Sequence, residues 1–232
     1  MPAARKNPIV CYVTDRKSLD SSGASPVLLA NIRAAIAAGV DWVQIREKDL
    51  SARELLELTR AACRISNEEA SVNAMRPVKP HTRILVNDRL DVALAAGAAG
   101  VHLGGESVPA SEIVRWLRSG NAPADFLVGV SCHSLQEVLL AENAGASYAF
   151  FGPVFDSPAK RVFGAPHGVA RLEEVCRSVK IPVIAIGGVN PENAGECLRA
   201  GASGIAAIRL FQQEGLVAGK LEAAVVRIQQ AM

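Results

Sequence analysis

The sequence is poor in aromatic residues, at 4%, and has no excess of charge of either sign: 25 Lys and Arg stand against 23 Asp and Glu, a net charge of +2. This excludes a nucleic-acid binder that works through a basic stripe and base-stacking rings. Paired cysteines are also lacking. The five cysteines (Cys11, Cys63, Cys132, Cys176 and Cys197) are widely scattered and form no C-x-x-C pair, which argues against a disulfide framework and a thiolate zinc site. A reduced, cytoplasmic protein is predicted. Long hydrophobic runs are missing as well: uncharged stretches such as Asn143 to Phe155 fall short of the roughly 18 apolar residues a membrane helix needs. The apolar run before Asp15 and Arg16 is too short for a secretory signal.

What is present is a 232-residue chain with 50% hydrophobic content, enough for a large core, and the whole of 1–232 reads as a single domain. Short apolar runs recur at Ile9–Thr14, Asp41–Arg46, Arg83–Asn87, Gly100–Leu103, Phe126–Val130, Tyr148–Phe151, Pro182–Ile186 and Gly204–Ile208. These predict strands, and the stretches between them carry helical spacing. Strict alternation implies parallel strands joined by crossover helices. Ala-Gly recurs at Gly39, Gly97, Gly145 and Gly201, each time at the turn from a helix into a strand, where glycine suits the abrupt change of direction. The repeat marks pairs of strand–helix units and gives a count of eight. An α/β fold of the TIM (β/α)8 barrel type is therefore predicted; a doubly wound open sheet would give similar local signals.

Two segments break the rhythm. Ser66–Thr82 is polar and precedes the third strand, so it is expected to be a surface loop on the face away from chemistry. Gly152–His167 follows the sixth strand, on the face where barrels hold their sites, and is a candidate lid.

The second strand departs from apolar composition. Trp42, Gln44 and Arg46 alternate with Val43 and Ile45, so Gln44 and Arg46 point into the barrel near its mouth, with Lys48 following. A buried cation needs a counter-charge, supplied to Arg46 either by Glu47, Asp49 or Asp88 or by an anionic ligand. Other strands also end in polar or glycine clusters: Asn87-Asp88, His102 to Ser107, Ser131-Cys132-His133, and the loop Ser157 to Lys160. As a bare pair, Asn87-Asp88 reads as a helix cap first and a metal ligand second, and both roles can coexist at different atoms. Gly187 and Gly188 end the seventh strand and Ile208-Arg209 the eighth, where barrels commonly cradle phosphate. Cations, one carboxylate and a Gly-Gly loop together point to diphosphate chemistry with Mg2+, which takes few protein ligands beside phosphate and water. No covalent nucleophile is indicated, because Cys132 and His133 point to opposite sides of a strand.

These residues resemble the thiamine phosphate synthase family, which is grouped with TenI-type thiazole tautomerases. The resemblance runs from about Ile9 to Leu210 through Gln44-Ile-Arg-Glu-Lys48, Val86-Asn-Asp-Arg89, Gly100-Val-His-Leu-Gly104, Ser131-Cys-His133, Gly152-Pro-Val-Phe155 with Lys160, and Ala185-Ile-Gly-Gly188. It implies a cytoplasmic transferase joining hydroxymethylpyrimidine diphosphate to thiazole phosphate, with a possible association between copies of the chain. Gln44, Arg46, Lys48, Asn87, Ser131 and Lys160 match contacts to the pyrimidine diphosphate; Ser157 and Gly188 match contacts to the thiazole phosphate; Asp88 matches a Mg2+ ligand. The implied chemistry is dissociative, with pyrophosphate leaving before the thiazole nitrogen attacks. Three positions depart from the pattern. Ser107 stands where the family has a second metal-binding aspartate, beside Glu106; Ala159 replaces a small hydroxyl residue; and Ile208-Arg209 replaces an aliphatic-Ser pair. The alternative readings are a tautomerase with His133 as acid/base, needing no metal, and a barrel that binds thiazole or thiamine phosphate without catalysis.

Overall fold

The computed structural model describes residues 7–19, 24–73, 81–156, 165–212 and 218–231. Among them, β1 (Ile9–Val13), β2 (Trp42–Ile45), β3 (Arg83–Asn87), β4 (Gly100–Leu103), β5 (Leu127–Cys132), β6 (Tyr148–Phe151), β7 (Val183–Ile186) and β8 (Gly204–Ala207) pair in chain order, all parallel, and β8 closes on β1. The helices α1 (Ala24–Ala38), α2 (Ala52–Asn73), α3 (Leu90–Ala96), α4 (Ala110–Trp116), α5 (Leu135–Asn143), α6 (Gly168–Ser178), α7 (Ala194–Arg199) and α8 (Ala218–Gln229) alternate with them. The chain thus forms the predicted TIM barrel. The four repeat glycines lie at φ between 68° and 96°, the left-handed turn that sends each helix back into a strand.

Strand alternation builds two apolar layers. Val10, Tyr12, Val43, Ile45, Ala149 and Phe151 face the helices. Ile9, Cys11, Val13, Trp42, Leu85, Tyr148, Phe150, Ile184 and Ala206 fill the lumen. The lumen is a packed floor: the Trp42 and Tyr148 ring centroids are 4.7 Å apart, and the Tyr148 and Phe150 centroids 5.4 Å.

The structure corrects two sequence expectations. Residues from Ser66 to Asn73 continue α2 instead of forming a loop. Leu55, Leu58, Ala62 and Ile65 make the buried stripe, while Glu68 and Glu69 belong to the solvent face and pair with Arg33 from α1. Ser66 is buried, and its hydroxyl donates to the Thr82 carbonyl at 2.6 Å, tying the helix to the entry of β3. Up to Asn73 the polarity that suggested a loop is the outer face of a helix; residues 74–80 of the expected loop lie outside the described residues. The fifth strand also starts one residue later than predicted and runs two further, so that Ser131 pairs opposite Phe150 on β6 and turns into the lumen.

Candidate active site

Because every strand is parallel, the carboxyl ends of all eight meet at one mouth. At the end of β2, Glu47 is buried and turned toward the segment after β1. Its carboxylate accepts from the Thr14 hydroxyl at 2.6 Å and from the Arg16 backbone N–H at 3.1 Å. Thr14 Oγ1 in turn accepts from the backbone N–H of Arg46 at 2.9 Å. Burial pushes the Glu47 carboxyl up from its ordinary range, against the lowering effect of the Thr14 and Arg16 hydrogen bonds. Asp49 is engaged by Arg16 at 2.8 Å and Lys17 at 3.3 Å. Glu47 and Asp49, two of the carboxylates offered as partners for Arg46, are thus committed elsewhere. Half-buried Arg46 forms no ion pair among the described residues, and Lys48 beside it is exposed.

A second network crosses β2, β3 and β4. Gln44 is 2% exposed; its amide donates to Asn87 Oδ1 at 2.9 Å, and its buried Oε1 has no partner among the described residues. Asn87 Nδ2 donates to Asp88 Oδ2 at 2.5 Å. The other Asp88 oxygen accepts from the Gly104 N–H at 3.1 Å and from the Ser107 hydroxyl, while Ser107 Oγ accepts from Gly104 at 2.7 Å. Asp88 is held at φ 61°, a left-handed conformation uncommon outside glycine, and its own N–H donates to the His102 carbonyl at 2.8 Å. The capping expectation is not met. The cap of α3 is Arg89, with no side-chain hydrogen bond, and the Asp88 carboxylate turns instead to the loop after β4.

The donor set here suits Mg2+. It offers one carboxylate and one adjoining hydroxyl, all oxygen, beside a face rich in cations that would attract phosphate. Ser107, not Glu106, touches Asp88; Glu106 is exposed. Among the described residues no three carboxylate, His or Cys side chains cluster, so phosphate and water would have to supply most ligands.

On β4 and β5, His102 is 1% exposed inside the lumen, its ring 4.3 Å from that of Phe150. Its Nε2 lies 2.8 Å from Ser131 Oγ and its Nδ1 3.0 Å from the Tyr148 hydroxyl. Burial drives its pKa down to about 3, so the ring is neutral. His133, one step past β5, is exposed; its Nδ1 contacts the Gly152 carbonyl, and its N–H is held by Glu137 at 2.6 Å. Cys132 is buried, its thiol pushed up to about 12, which removes it as a nucleophile.

On the other side of the mouth, Gly187 and Gly188 have φ of 94° and 68°. A Cβ on Gly188 would sit 2.6 Å from the Asp156 carbonyl, and one on Gly187 2.5 Å from Pro153 Cα. The missing side chains therefore make room for the segment after β6, whose Val154 and Phe155 N–H groups donate to Ile186 and Gly187 at 3.0 and 2.9 Å. Ile208 packs with the lumen residues, and exposed Arg209 opens a short 3-10 turn, Arg209–Phe211.

Gln44, Arg46, Lys48, Asn87, Asp88, Ser107, Ser131, His133, Gly187, Gly188, Ile208 and Arg209 thus lie around one rim. Ser157 and Lys160, with Ala159 and half of the candidate lid (157–164), fall outside the described residues. Sequence reasoning missed two neighbours. One is the Thr14–Glu47 brace, for which the lone acid between Arg46 and Lys48 was a usable signal. The other is His167, which packs 5.1 Å from Phe151, with Nε2 buried and unpartnered among the described residues. Burial first, then nearby His133, pushes the His167 pKa down.

The chain matches the family model described as Thiamine monophosphate synthase over residues 10–211. It is 44% identical over 181 residues to a putative thiamine-phosphate synthase of Geobacter sulfurreducens, covering 78% of each chain. It is 37% identical over 204 residues to the thiamine-phosphate synthase of Chlorobium phaeobacteroides, covering 87% of this chain and 86% of that one. Among solved structures, the thiamine phosphate pyrophosphorylase from Pyrococcus furiosus is similar with a TM-score of 0.75 at 30% identity, over 97% of this chain and 96% of that one.

Proposed function

Since the chain belongs to the thiamine monophosphate synthase family, we propose that it joins hydroxymethylpyrimidine diphosphate to thiazole phosphate, forming thiamine phosphate and releasing pyrophosphate. The observation that carries this reading is Arg46, a half-buried cation whose neighbouring carboxylates are held by other groups. It calls for an anion from outside the chain. Gln44 supports the same reading, because its buried Oε1, without a partner among the described residues, is free to accept from a ligand donor such as a ring amine.

In the proposed reaction Arg46 and Lys48, joined by Lys160, bind the diphosphate and stabilise charge as the C–O bond to the pyrimidine methylene breaks. The bonding pair leaves with pyrophosphate, and the thiazole nitrogen supplies its lone pair to the methylene carbon. Gln44 and Asn87 orient the pyrimidine, and Ser131 donates to the diphosphate. Ser157, the Gly187–Gly188 loop, the backbone at Ile208 and the Arg209 side chain would hold the thiazole phosphate. Asp88 and Ser107 would hold Mg2+, which when bound neutralises diphosphate charge. Positioning and electrostatics do the work, with no covalent intermediate on the protein.

The test is pyrophosphate release from the two phosphorylated halves with Mg2+. Release that stops with chelator and in Asp88→Ala supports the synthase; failure of the wild-type chain to release pyrophosphate overturns it. A tautomerase is the second reading, favoured by His133, whose Nδ1 is fixed on the Gly152 carbonyl. Metal-independent aromatisation of a thiazole carboxylate phosphate, lost in His133→Ala, would establish it. Tight binding of thiazole phosphate without turnover of either kind would leave a binding protein.

A further inference from the structure

Beneath the rim, three polar groups cross the lumen in a line: the Tyr148 hydroxyl, the His102 ring and the Ser131 hydroxyl, at 3.0 and 2.8 Å. Tyr148 is 1% exposed and His102 is equally buried. The line was built for: a Cβ on Gly129 would lie 2.3 Å from the Tyr148 oxygen, so only glycine there lets the hydroxyl reach its place. We propose that His102 is a positioning residue, fixed in one tautomer by Tyr148, which turns the Ser131 proton toward the mouth so that Ser131 meets its ligand only as a donor.

The reasoning is hydrogen-bond accounting. A neutral imidazole carries one N–H and one bare nitrogen. If Nδ1 carried the proton, the Tyr148 O–H would have no acceptor among the described residues in the packed lumen, an orphan donor of the kind folded proteins avoid. With Tyr148 donating to Nδ1, the ring proton sits on Nε2 and donates to Ser131 Oγ. Ser131 then has its own proton left for the mouth. An anionic oxygen can only accept, so a serine whose proton was spent on the ring would present lone pairs to it and repel. All three donors therefore point the same way, from the barrel floor toward the ligand.

This rests on reading the mouth as a diphosphate site, and the experiment separates the two. Nitrogen-15 NMR of histidine-labelled protein, with the His102 signals identified by their loss in His102→Gln, reads the tautomer without any ligand. The expected result is a protonated Nε2 and a bare Nδ1, giving way to a mixture of tautomers in Tyr148→Phe. Titration with inorganic pyrophosphate and Mg2+ reads the consequence. Ser131→Ala and His102→Leu should each weaken binding by about tenfold, and the double variant by no more than either alone. His102→Gln, whose amide can accept from Tyr148 and donate to Ser131, should recover most of the loss. A protonated Nδ1 in the wild-type chain, an unchanged tautomer in Tyr148→Phe, or additive losses in the double variant would overturn the proposal. Should wild-type protein fail to bind pyrophosphate, the diphosphate reading falls, while the tautomer still decides the direction of the relay.

Discussion

From β2 to β5 the rim is made of side chains tied to one another, whereas from β6 to β8 it is made largely of backbone. On the first arc Gln44, Asn87, Asp88 and Ser107 form a continuous chain of hydrogen bonds, and His102 anchors Ser131. On the second, Val154 and Phe155 bond to the carbonyls of Ile186 and Gly187, and Asn193 holds the Gly188 carbonyl at 3.0 Å. On the function proposed, the difference teaches how one mouth would treat two anions differently. Dipoles set in advance cost no reorganisation when charge develops, so the first arc suits the end of the substrate where a bond breaks. A glycine-lined backbone cup suits a phosphate that is only held in place. Substitutions on the first arc should therefore act on rate and on diphosphate binding, and those on the second on thiazole phosphate binding and local stability.

The sharpest break is Arg46→Ala, expected to lower kcat about 10²–10³-fold while the KM for thiazole phosphate changes little, as measured by pyrophosphate release. An effect confined to KM would erase the distinction between the arcs. Next in size is Gly188→Ala. Its φ of 68° and the Asp156 carbonyl 2.6 Å from the new Cβ should destabilise the fold by about 1–3 kcal/mol. Thermal unfolding would show it, and the KM for thiazole phosphate should rise more than that for the diphosphate. If both KM values rise equally, the glycine loop does not belong to one substrate alone.

The first arc was legible in the sequence because its polar residues interrupt strands that would otherwise be apolar. Gln44 and Arg46 stand out against Val43 and Ile45, and period-two alternation alone turns them into the lumen. The orphaned charge on Arg46 was not legible, because it depends on Thr14 and Arg16, some thirty residues away, drawing Glu47 aside. Asp88 looked like a helix cap because Asx residues before a helix usually cap it; its left-handed backbone turns the carboxylate away. Ser66 to Asn73 looked like a loop because the exposed face of α2 is polar, while its short buried stripe and the Ser66–Thr82 bond lie in three dimensions. Gly187 and Gly188 were legible as a turn. That they make space for the chain after β6 required the neighbouring strand.

Smaller per pH unit is the response to acid, which separates the buried floor of the first arc from its exposed rim. The unfolded chain takes up a proton on His102 near its ordinary pKa of 6.5, and the folded protein refuses it until about 3. A depressed folded-state pKa gives stability that is complete above 6.5 and is lost as the pH falls toward 3. The slope from this one group is at most about 1.4 kcal/mol per pH unit. Chemical denaturation across that window should show a shallower loss of stability in His102→Gln than in the wild-type chain. Equal slopes would mean that the ring titrates freely and is not sealed beneath the rim.

The smallest expected effect bears on what the first arc lacks. Asp88 supplies one negative charge, and its Oδ1 already accepts from Gly104 and Ser107, so the free protein offers a divalent cation little beyond a carboxylate that is partly satisfied. Ser107→Asp removes a donor and adds a charge at the same spot. Without metal the two carboxylates repel, and the melting temperature should fall slightly at low salt. With Mn2+ as a paramagnetic stand-in for Mg2+, the free-ion signal should show about five- to tenfold tighter binding in the variant, and added Mg2+ should raise its melting temperature more than that of the wild-type chain. Pyrophosphate should narrow the gap between the two, because its oxygens supply ligands that the wild-type site does not. If Ser107→Asp leaves Mn2+ affinity unchanged, the cation is not held between β3 and the loop after β4, and the first arc meets the diphosphate through Arg46, Lys48 and Ser131 without it.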